Sequence, residues 1–295
     1  MIYNIYNEFI EVSVSDAGAE LMSVKSRKDG TEYLWQGNPE FWGGRAYNLF
    51  PICGRLTEGK YTYEGKTYEM NLHGFVRKSV LSATVLACDK VEFSLRSDER
   101  TLSMYPFDFE YRIRYTLVKN TVRMEISVLN LSQKTMPFAI GGHPGFNVPL
   151  GEGKDETFED YYIEFSPACS PDAIYMSDTC YTTRRTDAFP LENGRILPLR
   201  HDLFDRDAIV LENVSHKVSL RGKKTSKCVT VETPDAMKYL AIWHAPRKAA
   251  PYVALEPWTS VPAYDGEIDD LSSKRDMTQL SPLASYELTW TITVE

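Results

Sequence analysis

Four short segments place chemically capable side chains where the surrounding sequence is apolar or glycine-rich. Glu256 lies in Val253-Ala254-Leu255-Glu256-Pro257-Trp258, and a carboxylate seldom sits in such company without a partner. If that position is buried, lost solvation raises the carboxyl pKa toward the range useful to a general base. His143 stands in Ile140-Gly141-Gly142-His143-Pro144-Gly145-Phe146. The glycines permit close backbone approach and the proline stiffens the chain, so the imidazole belongs either to a pocket rim or to a tight turn. Arg55 follows Gly54 at the end of Asn48-Leu49-Phe50-Pro51-Ile52-Cys53-Gly54-Arg55-Leu56. Its guanidinium is a rigid fork of donors suited to hydroxyl pairs or carboxylates; the plainer alternative is a structural salt bridge. His73, in Asn71-Leu72-His73-Gly74-Phe75, presents the same choice between a binding group and a satisfied turn or core residue.

Two tryptophans accompany these groups: Trp258 beside Glu256, and Trp243 in Leu240-Ala241-Ile242-Trp243-His244. Sugar rings stack their apolar C–H faces on aromatic rings, while their hydroxyls need donors and acceptors. An arginine, two histidines, a glutamate and nearby tryptophans are together the equipment of a sugar pocket.

Strands must carry these residues, because alternation with period two dominates the chain. Tyr111, Ile113, Tyr115 and Leu117 face one way, and Val122, Met124, Ile126 and Val128 repeat the pattern after Lys119-Asn120. Residues 109 to 130 therefore read as a hairpin. Tyr61 to Met70, turned at Glu64-Gly65, reads as a second, and Val80 to Val85 with Val91 to Leu95 as a third. Tyr286, Leu288, Trp290, Ile292 and Val294 alternate just as regularly. Helical patterns are scarce, confined to short pieces around Asn38 to Trp42 and Ser272 to Leu280. Many strands with few crossover helices exclude a doubly wound sheet and predict an all-β, large antiparallel β-sandwich. One face of each sheet then meets the core and the other meets solvent or lines a groove. No linker, repeat or low-complexity run divides residues 1–295, so a single domain is expected, with Gly151 to Asp160 as a polar loop.

Composition limits the partners. The chain has 295 residues, 43% of them hydrophobic and 25% charged, enough to bury a sizeable core. A formal net charge of -8 argues against nucleic acid, which selects a basic face. No basic segment followed by an apolar run opens the sequence, and no stretch approaches eighteen apolar residues, so neither a signal peptide nor a membrane span is expected. The five cysteines form no CxxC pair and HExxH is absent. The expectation is reduced thiols, no metal and a cytoplasmic location.

The segments Asn48 to Leu56, Leu72 to Phe75, Gly142 to Phe146 and Leu255 to Trp258, in that order on a strand-rich background, resemble the aldose 1-epimerase (mutarotase) family. The similarity is strongest to its divergent branch of smaller bacterial proteins and runs from about residue 5 to the C-terminus. The resemblance implies a large antiparallel sandwich with an open groove, no cofactor, and interconversion of the anomers of a free aldose. By the same resemblance Glu256 is the general base on the anomeric hydroxyl and His143 the general acid toward the ring oxygen. Arg55 and His73 bind the substrate, and Asn48, Trp243 and Trp258 complete the expected substrate-binding set. Galactose mutarotases have an Asn-His pair followed by Tyr-Phe where this chain reads Gly142-His143-Pro144-Gly145-Phe146. They also carry a sugar-binding aspartate, for which Asp205 and Asp207 are the nearest positions here. Two alternatives stay open. One is a mutarotase of a phosphorylated hexose, with Arg45 and Arg77 joining Arg55 as a phosphate clamp. The other is a non-catalytic sugar-binding protein on the same scaffold. The expected partner is a small aldose or aldose phosphate, and the expected assembly a monomer or homodimer.

Overall fold

The computed structural model describes residues 1–151 and 155–295. Alternating sequence becomes antiparallel strand. Phe109–Val118 pairs with Thr121–Asn130 as a hairpin turned at Lys119-Asn120, and every residue expected on its apolar face is buried. Lys60–Tyr63 pairs with Lys66–Glu69 around Glu64-Gly65. Both turn residues have positive φ, 49° and 74°, the requirement of a tight hairpin turn. Ser82–Ala87 pairs with Lys90–Arg96.

Two large sheets result. The nine-stranded sheet runs, in spatial order, Ile196–Pro198, Tyr161–Phe165, Lys217–Gly222, Cys228–Glu232, Ser285–Val294, Thr121–Asn130, Phe109–Val118, Lys90–Arg96 and Ser82–Ala87. The seven-stranded sheet runs Thr182–Ala188, Asp172–Met176, Ile209–Glu212, Tyr239–Trp243, Tyr252–Trp258, Gly141–Asn147 and Ala46–Leu49. Their facing sides share one hydrophobic core, the arrangement of a β-sandwich. Phe50 packs on Phe109 and Tyr111 across the gap. The approach is closest at Gly142, where a Cβ would come within 2.5 Å of the Trp290 ring; that glycine admits the facing sheet.

The helical expectations are corrected. Around Asn38 to Trp42 the chain forms a turn, with the N–H groups of Phe41 and Trp42 both donating to the Asn38 carbonyl. Residues 272–280 are turns followed by the strand Thr278–Leu280, which pairs with Met136–Phe138. The α-helix among the described residues is instead Glu99–Met104, started by an Asp98 carboxylate that accepts from the Thr101 N–H. Six residues are too few to show a helical period, so only the cap was there to be read. Of the expected polar loop, residues 152–154 lie outside the described residues, and Phe158–Asp160 is a short 3₁₀ turn. No helix among the described residues is long and apolar enough to cross a membrane.

Candidate active site

The outer side of the seven-stranded sheet departs from the usual polar face. Gly141–Asn147 and Tyr252–Trp258 are buried on both sides along nearly their whole length. Their register, fixed by Gly141 opposite Trp258 and Gly145 opposite Ala254, sets His143 directly across from Glu256. The same row continues to Tyr47 on one side and to Ala241 and Val210 on the other. Small residues at Ala241, Ala254 and Gly145 leave space above the strands, and loops wall it in.

The result is a cavity of about 280 Å³ lined by residues that include Trp42, Tyr47, Arg55, His73, Arg77, His143, Asp207, Trp243, Glu256 and Trp258. That volume lies near the lower end for small-molecule sites and suits one compact ligand. His143 Nε2 is 3.3 Å from Glu256 Oε1. Only 2% of Glu256 and 7% of His143 is exposed. Burial, reinforced by the negative charge of Asp207, raises the Glu256 carboxyl well above its ordinary 4.5. Burial also drives the His143 imidazole down to about 3. Both shifts oppose charge, so burial favours the uncharged form of each member of the pair. His143 Nδ1, Glu256 Oε2 and Trp258 Nε1 are buried with no hydrogen-bond partner. Unsatisfied buried polar atoms need an explanation, and a polar ligand supplies one.

His73 enters from a turn. Its φ is 61° and that of Gly54 is 73°, and the two residues hold each other: the His73 N–H donates to the Gly54 carbonyl at 2.7 Å, and the Gly54 N–H donates to His73 Nδ1 at 3.0 Å. Gly54 is required for that backbone, since a Cβ there would also strike the Pro262 ring at 2.3 Å. An accepting Nδ1 fixes the neutral tautomer with its hydrogen on Nε2. Burial, then the competing imidazole of His143 and the charges of Arg77 and Arg55, holds the His73 pKa well below its ordinary 6.5. His73 is therefore a neutral donor.

Arg55 lines the cavity and makes one long contact, 3.4 Å to the Thr179 carbonyl. The alternative of a structural salt bridge is not realised among the described residues. Trp243 stands edge-on to His143, with ring centroids 5.6 Å apart. Its indole N–H donates to Asp207 Oδ1 at 2.6 Å.

Not every expected residue arrives. Asn48 is opposite Gly142 on the core side, where its amide donates to the carbonyls of Gly18 and Ala19 and to the Tyr115 hydroxyl. It braces the two sheets and does not line the cavity. Arg45 is also elsewhere: it donates to the Met22 carbonyl and to Gln36 Oε1, which removes it from a phosphate clamp. Of the two aspartates, Asp207 lines the cavity and Asp205 does not. Asp207 has φ 81°, a backbone seldom adopted by a residue with a side chain. Several lining residues, Trp42, Tyr47 and Met176 among them, are not singled out by the sequence. Tyr47 shares a strand face with the buried Leu49, so parity alone points it to the core and gives no signal for the cavity; the turn carrying Trp42 gives none either.

Residues 1–263 match the aldose 1-epimerase family. Protein LacX of Lactococcus lactis subsp. lactis is 37% identical over 303 residues, spanning 100% of this chain and 99% of that protein. A galactose mutarotase related enzyme from Lactobacillus acidophilus superposes with a TM-score of 0.94 at 37% identity, covering 100% of this chain and 97% of its own. A galactose mutarotase-like protein from Lactobacillus casei gives 0.94 at 30% identity, with 100% of both chains covered. The sandwich, the buried His143 and Glu256 side by side on its groove face and these similarities agree: the chain belongs to the aldose 1-epimerase family.

Proposed function

We propose that this protein interconverts the α and β anomers of an aldose by acid–base ring opening and closure. The observation that carries the reading is the His143–Glu256 pair, 3.3 Å apart and buried in a cavity of single-ligand size. The anomeric oxygen and the ring oxygen of a cyclic aldose are bonded to the same carbon. Two groups this close can therefore address both at once.

In the proposed cycle the shared proton passes from Glu256 to His143, leaving a carboxylate and an imidazolium. The anomeric O–H gives its proton to Glu256, the C1–O5 bond breaks, and His143 protonates the departing O5. The products are an open-chain aldehyde and an uncharged pair. Rotation about C1–C2 presents the other carbonyl face. In closure O5–H attacks that carbon, its proton returns to His143, and the new anomeric oxygen takes the proton from Glu256. Ring opening thus discharges the pair, which is the state that burial favours. His73 Nε2–H and the Arg55 guanidinium supply donors to sugar oxygens, Asp207 an acceptor, and Trp258 and Trp243 apolar faces. One proton on the pair is required throughout, so the rate is highest between the loss of that proton and the gain of another. It falls when Glu256 finally ionises at high pH or His143 gains a second proton at low pH.

The test is polarimetry or exchange NMR on freshly dissolved single-anomer sugars, corrected for spontaneous mutarotation in the same buffer. Acceleration of any aldose is expected. Sugar binding without acceleration would replace the enzyme with a binding protein.

A second reading, a substrate bearing an anionic group such as a phosphate ester, is favoured by one observation. Arg55 and Arg77 both line the cavity and neither enters an ion pair among the described residues. Arg77 donates to the Leu72 carbonyl and lies 5.0 Å from the Tyr47 ring centre. Activity confined to the phosphate ester, falling steeply with salt and lost selectively in Arg77→Ala, would establish that reading over the neutral sugar.

A further inference from the structure

Trp42 lines the cavity, yet the acid–base scheme gives it no task. Its indole is stacked on the His143 imidazole, ring centroids 4.6 Å apart and planes 28° from parallel. Tyr47 and Trp243 meet the indole edge-on at 5.5 and 5.6 Å, and Tyr252 lies 5.8 Å away. Glycines make the room. A Cβ at Gly44 would come within 2.7 Å of the indole, and one at Gly145, which shares a strand face with His143, within 3.0 Å. The backbone is pinned as well: the Trp42 N–H donates to the Asn38 carbonyl, and the Trp42 carbonyl accepts from Trp35 Nε1 at 2.8 Å. A turn outside both sheets is thus fastened so that one flat ring covers one imidazole.

We infer that Trp42 is the positioning residue for the acid: its indole clamps the His143 ring toward Glu256 and keeps water off the pair, confining the shared proton to those two groups. The inference rests on the acid–base reading above. The titratable and charged groups around the imidazole are Glu256, His73, Tyr47 and Arg77, with Asp207 acting on Glu256; a change at Trp42 leaves all of them in place. Two effects of the indole oppose each other. Its π face attracts an imidazolium, whereas its bulk desolvates one. Desolvation of a buried group is the larger effect, so removing the ring raises the His143 pKa.

The experiment combines an NMR titration of the His143 imidazole with pH–rate profiles for wild type and for Trp42→Phe, Trp42→Leu and Trp42→Ala. In Trp42→Ala the imidazole should titrate closer to its ordinary 6.5 than to the wild-type value of about 3. The acid limb of the rate should move up in pH with it, and kcat should fall between about 10- and 100-fold with KM little changed. Trp42→Leu, which keeps apolar bulk without a flat face, should shift partway and serves if the alanine variant fails to fold. Trp42→Phe should recover most of both readouts. Unchanged His143 titration in the folded Leu and Ala variants would overturn the inference. So would a higher KM at constant kcat, which would make Trp42 a surface for the sugar. The titration needs no substrate, so it decides the role of Trp42 even if the wild type turns over no sugar and the mutarotase reading fails.

Discussion

The two large sheets solve the problem of their outer faces in opposite ways. On the nine-stranded sheet the outward positions are polar and matched across strands. Arg114 donates to Glu92 at 2.7 Å and Arg221 to Glu164 at 2.7 Å, and Lys217 pairs with Glu232 at 2.7 Å. These groups stay in contact with water, so each pair contributes little and demands little. On the seven-stranded sheet the central outward positions are His143, Glu256 and Trp258, nearly inaccessible and with unsatisfied polar atoms. One face is a solvated lattice of compensating charges; the other holds ionisable groups in a place that opposes their charge. The lesson is that the site is marked by where the sheet stops obeying the rule its partner obeys. The cost of that departure is tolerated because a neutral, one-proton pair can occupy it.

That contrast is open to experiment, and the largest effect is expected at its centre. Glu256→Gln keeps size and much of the hydrogen-bonding shape but cannot accept a proton. It should slow anomer interconversion by roughly 10²-fold or more while sugar affinity is retained, with His143→Asn behaving similarly. An equally fast Gln variant would show that the buried carboxylate is not the base, and the contrast would lose its functional meaning. Next in size is Asn48→Ala, which removes the side-chain donor of the Gly18 carbonyl and leaves the Ala19 carbonyl to the Tyr115 hydroxyl. The cost should be about 2 to 3 kcal/mol in denaturant unfolding, with KM unchanged in the folded fraction. A raised KM with intact stability would return Asn48 to the substrate-binding set.

The third expectation concerns pH. As pH rises above 4.5, an unfolded chain ionises Glu256 while the fold still holds its proton. The folded state then binds more protons, and stability falls with rising pH until the raised pKa is passed. Glu256→Gln removes that loss, so its melting temperature should exceed that of wild type by a margin that grows toward alkaline pH. For His143 the sign reverses. Between 6.5 and about 3 the unfolded chain binds the extra proton, so wild type loses stability as pH falls and His143→Asn should lose less. Parallel melting curves across pH would contradict the burial of the pair's charge. The smallest effect belongs to the other sheet. Arg114→Ala should change stability by less than about 1 kcal/mol and leave turnover alone; a larger loss would mean that its outer face is not the inert lattice described.

Much of this architecture was legible in the residues themselves. Alternation at 109 to 130 and 286 to 294 and the Glu64-Gly65 turn depend on neighbours in sequence. Side-chain period and turn chemistry are local properties, so these strands and hairpins could be read directly. Glu256, His143, His73 and Arg55 stood out for a related reason: each is a polar group in apolar or glycine-rich company, a mismatch visible without knowing the fold. What the tertiary structure alone decided is who faces whom. His143 meets Glu256 because strands more than a hundred residues apart adopt one register, and a slip by one residue would send the two side chains to opposite faces. Asn48 shows the same rule from the other side, since parity put it opposite Gly142 and into the core. Trp42, Asp207 and Arg77 come from turns and short irregular segments that have no period to extrapolate. Register and the docking of turns are set by contacts between distant parts of the chain, and those contacts exist only once the sheets have packed.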